Sequence, residues 1–110
     1  MKTDVRFVIN RRLQNGVYLS LREGKAGRSW EQIVGYTVDE LMAHLRRQLP
    51  AGCTDADLAT GRVHIDHIVP KSSFDVATEQ GVRAAWCLSN LRPVPAQVNL
   101  RKGARREFLL

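Results

Sequence analysis

The spacing of hydrophobic positions changes along the chain, and each change predicts an element. Over 4–14, Phe7, Val8 and Leu13 recur among Arg6, Arg11 and Arg12 at helical spacing, which predicts a helix. Asn15-Gly16 reads as a stop, with a second helix over 17–23 and a loop at Gly24-Lys25-Ala26-Gly27. The helix over 37–49 is the most strongly marked. Thr37-Val38-Asp39-Glu40 has capping-box form, in which the Thr hydroxyl serves one orphan N–H and Glu40 reaches back to another. Tyr36 and Leu41 stand at its staple positions. Val38, Leu41, Met42, Leu45 and Leu49 share one face, the expected core face, and Pro50-Ala51-Gly52 ends the element. From Arg62 onward the pattern becomes a short strand over 63–69, stopped by Pro70, then a loop over 71–75. A short helix over 79–87 turns Val82, Ala85 and Trp86 inward. A second strand follows over 91–94, and Pro95 suits the first turn of a last helix that runs to about Ala104.

Length makes this one domain: 110 residues, with a basic helical part over 1–61 and a second module over 62–106. A hydrophobic fraction of 44% with 25% charged residues is globular composition and argues against disorder. No apolar run approaches the ~18 residues of a membrane span, and Met1-Lys2-Thr3-Asp4-Val5-Arg6 opens no leader-like apolar region. A cytoplasmic protein of a bacterial or phage-infected cell, with no membrane partner, is the expectation. Cys53 and Cys87 are far apart and form no Cys-x-x-Cys pair, so a zinc ribbon and a disulfide scaffold both lack support. The net charge of +6 favours a polyanionic partner. Basic residues dominate both flanks, 1–35 and 61–110, around an acidic middle, so both ends are expected to meet nucleic acid.

One stretch carries chemistry: His64-Ile65-Asp66-His67-Ile68-Val69-Pro70, an acid and an imidazole side by side at a strand end. Asn90 follows in Leu88-Ser89-Asn90-Leu91, and Asn99 in Gln97-Val98-Asn99-Leu100-Arg101-Lys102-Gly103. This set resembles the HNH endonuclease family, whose active site is the ββα-metal (His-Me finger) motif. The likeness covers residues 62–104 and includes Ser72-Ser73-Phe74 and Ser89-Asn90-Leu91-Arg92-Pro93. Upstream, Gly35-Tyr36-Thr37-Val38-Asp39-Glu40-Leu41 through His44-Leu45 is similar to the helix that precedes the motif in small phage-type and mobile-element members.

The resemblance implies an α+β fold: a two-stranded antiparallel hairpin with a long connection, then a helix, preceded by N-terminal helices. It implies a metal-dependent DNA endonuclease that leaves a 5′-phosphate and a 3′-hydroxyl. His67 matches the general base, and Asp66 the carboxylate metal ligand. Asn90 matches the middle Asn, whose side chain braces the segment bearing the histidine. Asn99 matches the final position, a second metal ligand where many members have His. That departure shifts the preference toward oxygen-liking ions, with one Mg²⁺ expected and Mn²⁺ or another transition metal as alternatives.

The chemistry also stands on the residues themselves. An imidazole titrating near neutrality can take a proton from water. A bound cation can offset charge on the phosphate and the departing 3′-oxygen. Two protein oxygens suit Mg²⁺, which keeps several waters. Adjacent strand residues face opposite sides, so Asp66 and His67 serve one site only if the chain bends or the ion sits at the strand end. His64 shares a face with Asp66 and reads as a further ligand, a hydrogen-bond partner of the site or a bystander. Lys102 reads equally as a phosphate contact or a solvated lysine. Arg6, Arg11, Arg12, Arg101, Lys102 and Arg105 are the candidate contacts to double-stranded DNA; such contacts position a duplex without reading sequence. Arg11-Arg12, Arg46-Arg47 and Arg105-Arg106 also read as solvated faces, and His44 as a surface or edge histidine. Trp30, Tyr36, Phe74 and Trp86 read as core aromatics and Cys87 as a buried thiol. A non-catalytic HNH-fold nucleic-acid-binding protein is the alternative, and a zinc-stabilised interaction module a weaker one. A homodimer or a partner protein supplying specificity is compatible with either of the first two.

Overall fold

A computed structural model describes residues 4–21 and 28–99. Its elements are helices α1 (Val5–Ser20), α2 (Trp30–Val34), α3 (Val38–Arg47) and α4 (Asp55–Thr60), strand β1 (Val63–His67), helix α5 (Glu79–Ala85) and strand β2 (Leu91–Pro95). The chain turns helical again over 96–99. The fold is α+β: helices around one two-stranded antiparallel hairpin. No helix among the described residues is long and apolar enough to cross a membrane.

Asp4 caps α1 by accepting the Arg6 backbone N–H at 2.9 Å. Ile9, Leu13 and Val17, four residues apart, form the helix's fully buried stripe. The expected stop at Asn15-Gly16 is not there: α1 continues through both residues to Ser20, and the separate helix expected from 17 is its last turn. The glycine has another use. A Cβ on Gly16 would stand 2.4 Å from Cη2 of Trp86, so the missing side chain lets the indole pack onto the helix backbone. Here tertiary packing overrides the breaking tendency of Asn-Gly. The loop expected over 24–27 lies outside the described residues, as does the last helix beyond 99.

In α3 both halves of the predicted capping box form, Glu40 N–H to Thr37 Oγ1 at 3.1 Å and Thr37 N–H to Glu40 Oε1 at 3.2 Å. Val38, Leu41, Met42 and Leu45 are buried and Leu49 packs partly against them. These side chains join the α1 stripe, Trp30, Ile33, Tyr36, Leu58, Val82, Trp86, Val63 and Leu91 in one core. Each large side chain fully buried contributes roughly 1.5–3 kcal/mol.

The hairpin pairs Val63 with Pro95, Ile65 with Pro93, Asp66 with Arg92 and His67 with Leu91. Two prolines are tolerated in β2 because both face away from the ladder. Ala96 donates its N–H to the Arg62 carbonyl at 2.8 Å, so the even positions of β2 face β1 and prolines 93 and 95 face out. The first strand is shorter than expected and ends at His67; Ile68 and Val69 follow it, exposed. Cys87 is half-buried beside Ser89 Oγ at 3.3 Å, not a buried thiol, because α5 has already ended and the chain is turning toward β2.

Candidate active site on the hairpin

His64, Asp66, His67, Asn90 and Asn99 lie on the hairpin, its connection or the turn after it, and Arg6, Arg11 and Arg12 on α1. Asp66 is 6% exposed, and its Oδ2 accepts from Nε of Arg92, its register partner, at 3.0 Å. A buried carboxylate requires such a partner, because desolvation penalises the charged form. Asn99 comes to β1 from the helical turn after β2. Its Nδ2 lies 2.9 Å from Nδ1 of His64, and since an amide nitrogen only donates, Nδ1 accepts. That bond sets the amide's orientation, with Nδ2 toward His64 and Oδ1 turned away from it.

Asn90 is 7% exposed and reaches 21 residues back. Its Oδ1 accepts the Val69 N–H at 2.8 Å, and its Nδ2 donates to the Val69 carbonyl at 3.1 Å and the Ala85 carbonyl at 2.8 Å. The Asn90 carbonyl accepts the Ile68 N–H at 2.8 Å. The two residues after His67 are thus tied by one asparagine to the end of α5.

His67 meets Trp86 edge-on, with ring centroids 4.4 Å apart and planes at 85°. The ladder stays in register through His67, so Asp66 and His67 leave β1 on opposite sides. His64 and Asp66 share the other face, the one Asn99 approaches. The structure therefore joins Asn99 to His64 and Asp66 to Arg92, and sets His67 over Trp86 at the strand end. His44, expected at an edge, is half-buried and bonded through Nε2 to the Leu91 carbonyl at 2.8 Å, which anchors α3 to the hairpin.

The candidate phosphate contacts differ in environment. Arg6 pairs with Asp39 at 2.9 Å on the surface, and that carboxylate raises the guanidinium's pKa. Arg11 is exposed. Arg12 is half-buried, and burial lowers its pKa. Arg101, Lys102 and Arg105 lie outside the described residues.

No family model matches the chain, and no curated protein or solved structure is significantly similar to it.

Two contributors were not singled out for the site from sequence. Trp86, read only as a core aromatic, also borders His67 and carries the Lys71 ammonium 5.5 Å from its ring centre. Arg92 becomes the partner of Asp66 only once the strand register is known. Among the described residues no three His, Cys, Asp or Glu side chains gather as a metal cage. Asp66 would offer an ion one carboxylate and Asn99 one amide oxygen, donor types that fit a hard divalent ion that keeps most of its waters.

Proposed function

We propose that the chain is a metal-dependent endonuclease of HNH type acting on DNA. The observation that carries this reading is the double hydrogen bond between the Asn90 side chain and the Val69 backbone. It is the bracing role that the resemblance gives to the middle Asn, made across 21 residues to the segment just after His67. A second support is the approach of Asn99 to the strand face bearing Asp66.

In this reading Asp66 and Asn99 Oδ1 hold one divalent ion, Mg²⁺ or Mn²⁺, which supplies charge neutralisation at the phosphate when bound. His67 accepts a proton from water as the water oxygen attacks phosphorus. The bond from phosphorus to the 3′-oxygen breaks and that oxygen takes a proton from solvent, leaving a 5′-phosphate and a 3′-hydroxyl. Because Asp66 and His67 start from opposite strand faces, the phosphate must sit around the end of β1, where the ladder stops. Packing against Trp86 restrains the imidazole and lowers the cost of ordering it for proton transfer.

Incubation of the full chain with supercoiled plasmid tests the proposal. Nicking with Mg²⁺ or Mn²⁺ that EDTA abolishes is the expected result. Salt-sensitive DNA binding with no cleavage under either metal would favour the non-catalytic binding protein instead.

A further inference from the structure

The half-buried guanidinium of Arg12 reaches from α1 toward the hairpin. It lines a cavity of about 260 Å³ with Leu13, Gly61, His64, Trp86 and Asn99. Four other arginines among the described residues, Arg6, Arg28, Arg46 and Arg92, each hold a carboxylate. Arg12 has no acidic partner among the described residues, and burial lowers its pKa. A guanidinium withdrawn from water without a counter-charge is costly, and an arriving anion recovers that cost. The other polar walls suit the same guest. Nδ1 of His64 meets the Asn99 amide, so Nε2 is the other polar atom of that ring at the cavity. The floor is apolar, from Leu13 and Trp86, which strengthens any charge pairing above it. The volume falls below the roughly 300–1,000 Å³ of drug-sized pockets and suits a phosphate group more than a whole nucleoside.

From this geometry we infer that the cavity is a phosphate site, with Arg12 as its cation and a DNA backbone phosphodiester as its occupant. The inference rests on the nuclease reading above and deepens it: Arg12 would be a binding residue beside the candidate metal ligand Asn99, set apart from the exposed arginines of the same helix.

The test is duplex binding in EDTA, followed by fluorescence anisotropy across a salt series, with inorganic phosphate as a competing probe. The chains are wild type, Arg12→Ala, Arg12→Lys and the α3 surface variant Arg47→Ala, each with a thermal melt to show that it is folded. Arg12→Ala is expected to weaken binding about tenfold and to lower the slope of log K against log salt by about one, the loss of one phosphate contact. Arg12→Lys should keep the slope and Arg47→Ala both quantities. A folded Arg12→Ala chain with wild-type affinity and slope would overturn the inference and leave the nuclease reading standing. The reverse, an Arg12-dependent slope in a chain that never cleaves, would support the site and overturn the nuclease reading. Binding of inorganic phosphate but not duplex would overturn DNA as the source of the phosphate.

Discussion

The imidazole of His67 stands edge-on to the indole of Trp86, 4.4 Å between ring centres. Trp86 in turn packs on the backbone of α1 at Gly16, donates its Nε1–H to Ser20 Oγ at 3.3 Å, and accepts at its carbonyl from the Tyr36 hydroxyl at 2.6 Å. The candidate base thus packs on a side chain anchored in the first helix, at Gly16 and Ser20. Trp86 is one of the links between the basic N-terminal part and the hairpin module, beside the His44 bond to the Leu91 carbonyl.

Gly16→Ala tests that coupling. In an exposed helix interior the change would stabilise by roughly 0.5–1 kcal/mol. Here the new methyl would fall 2.4 Å from the indole and displace it. A net loss of about 1–3 kcal/mol in urea unfolding is expected. A more stable variant would contradict the packing.

Asn90→Ala removes three hydrogen bonds from a buried side chain. The groups left behind are the Val69 N–H and C=O and the Ala85 C=O. A loss of about 2–4 kcal/mol is expected, since unmet buried polar groups cost roughly 1–3 kcal/mol each and water reaches some of them. Amide hydrogen exchange should rise at Val69, and an unchanged rate there would contradict the bracing role.

Tyr36 gives a pH dependence of defined sign. Burial, with the neighbouring Cys87 thiol adding to it, raises the phenol's pKa above its ordinary 10.0. The stabilising contribution of the neutral phenol is therefore full below pH 10. It is lost as pH rises from there toward the folded-state value, because the unfolded chain ionises first. Tyr36→Phe should cost about 1 kcal/mol at pH 7, the worth of its bond to the Trp86 carbonyl. Above pH 10 the gap between wild type and variant should shrink by up to about 1.4 kcal/mol per pH unit. Urea midpoints at pH 7, 9 and about 11 measure it; a constant gap would contradict the buried neutral phenol.

How far the sequence discloses these features depends on range. Helix α3 is legible because its cap and its apolar face are both local. The hairpin strands are legible in place but not in length, since β1 stops where its partner strand stops pairing. Helices α2 and α4 have five and six residues, too few for a periodic signal, although Ser29 with Gln32 and Thr54 with Asp57 mark their starts. Gly16 misleads because its meaning lies seventy residues away, at Trp86. In the candidate site, the positions of Asp66, His67, Asn90 and Asn99 stand in the sequence. Their partners do not: Arg92 opposite Asp66 follows from strand register, and His64 beside Asn99 from the turn after β2.

His67→Ala cleavage, measured beside DNA binding on the same samples, tests the nuclease account most directly. Wild type should nick supercoiled plasmid with Mg²⁺ or Mn²⁺, and the folded variant should bind duplex as wild type does while nicking about 10²-fold more slowly or less, the usual worth of a general base. Full nicking activity in the variant would contradict the account.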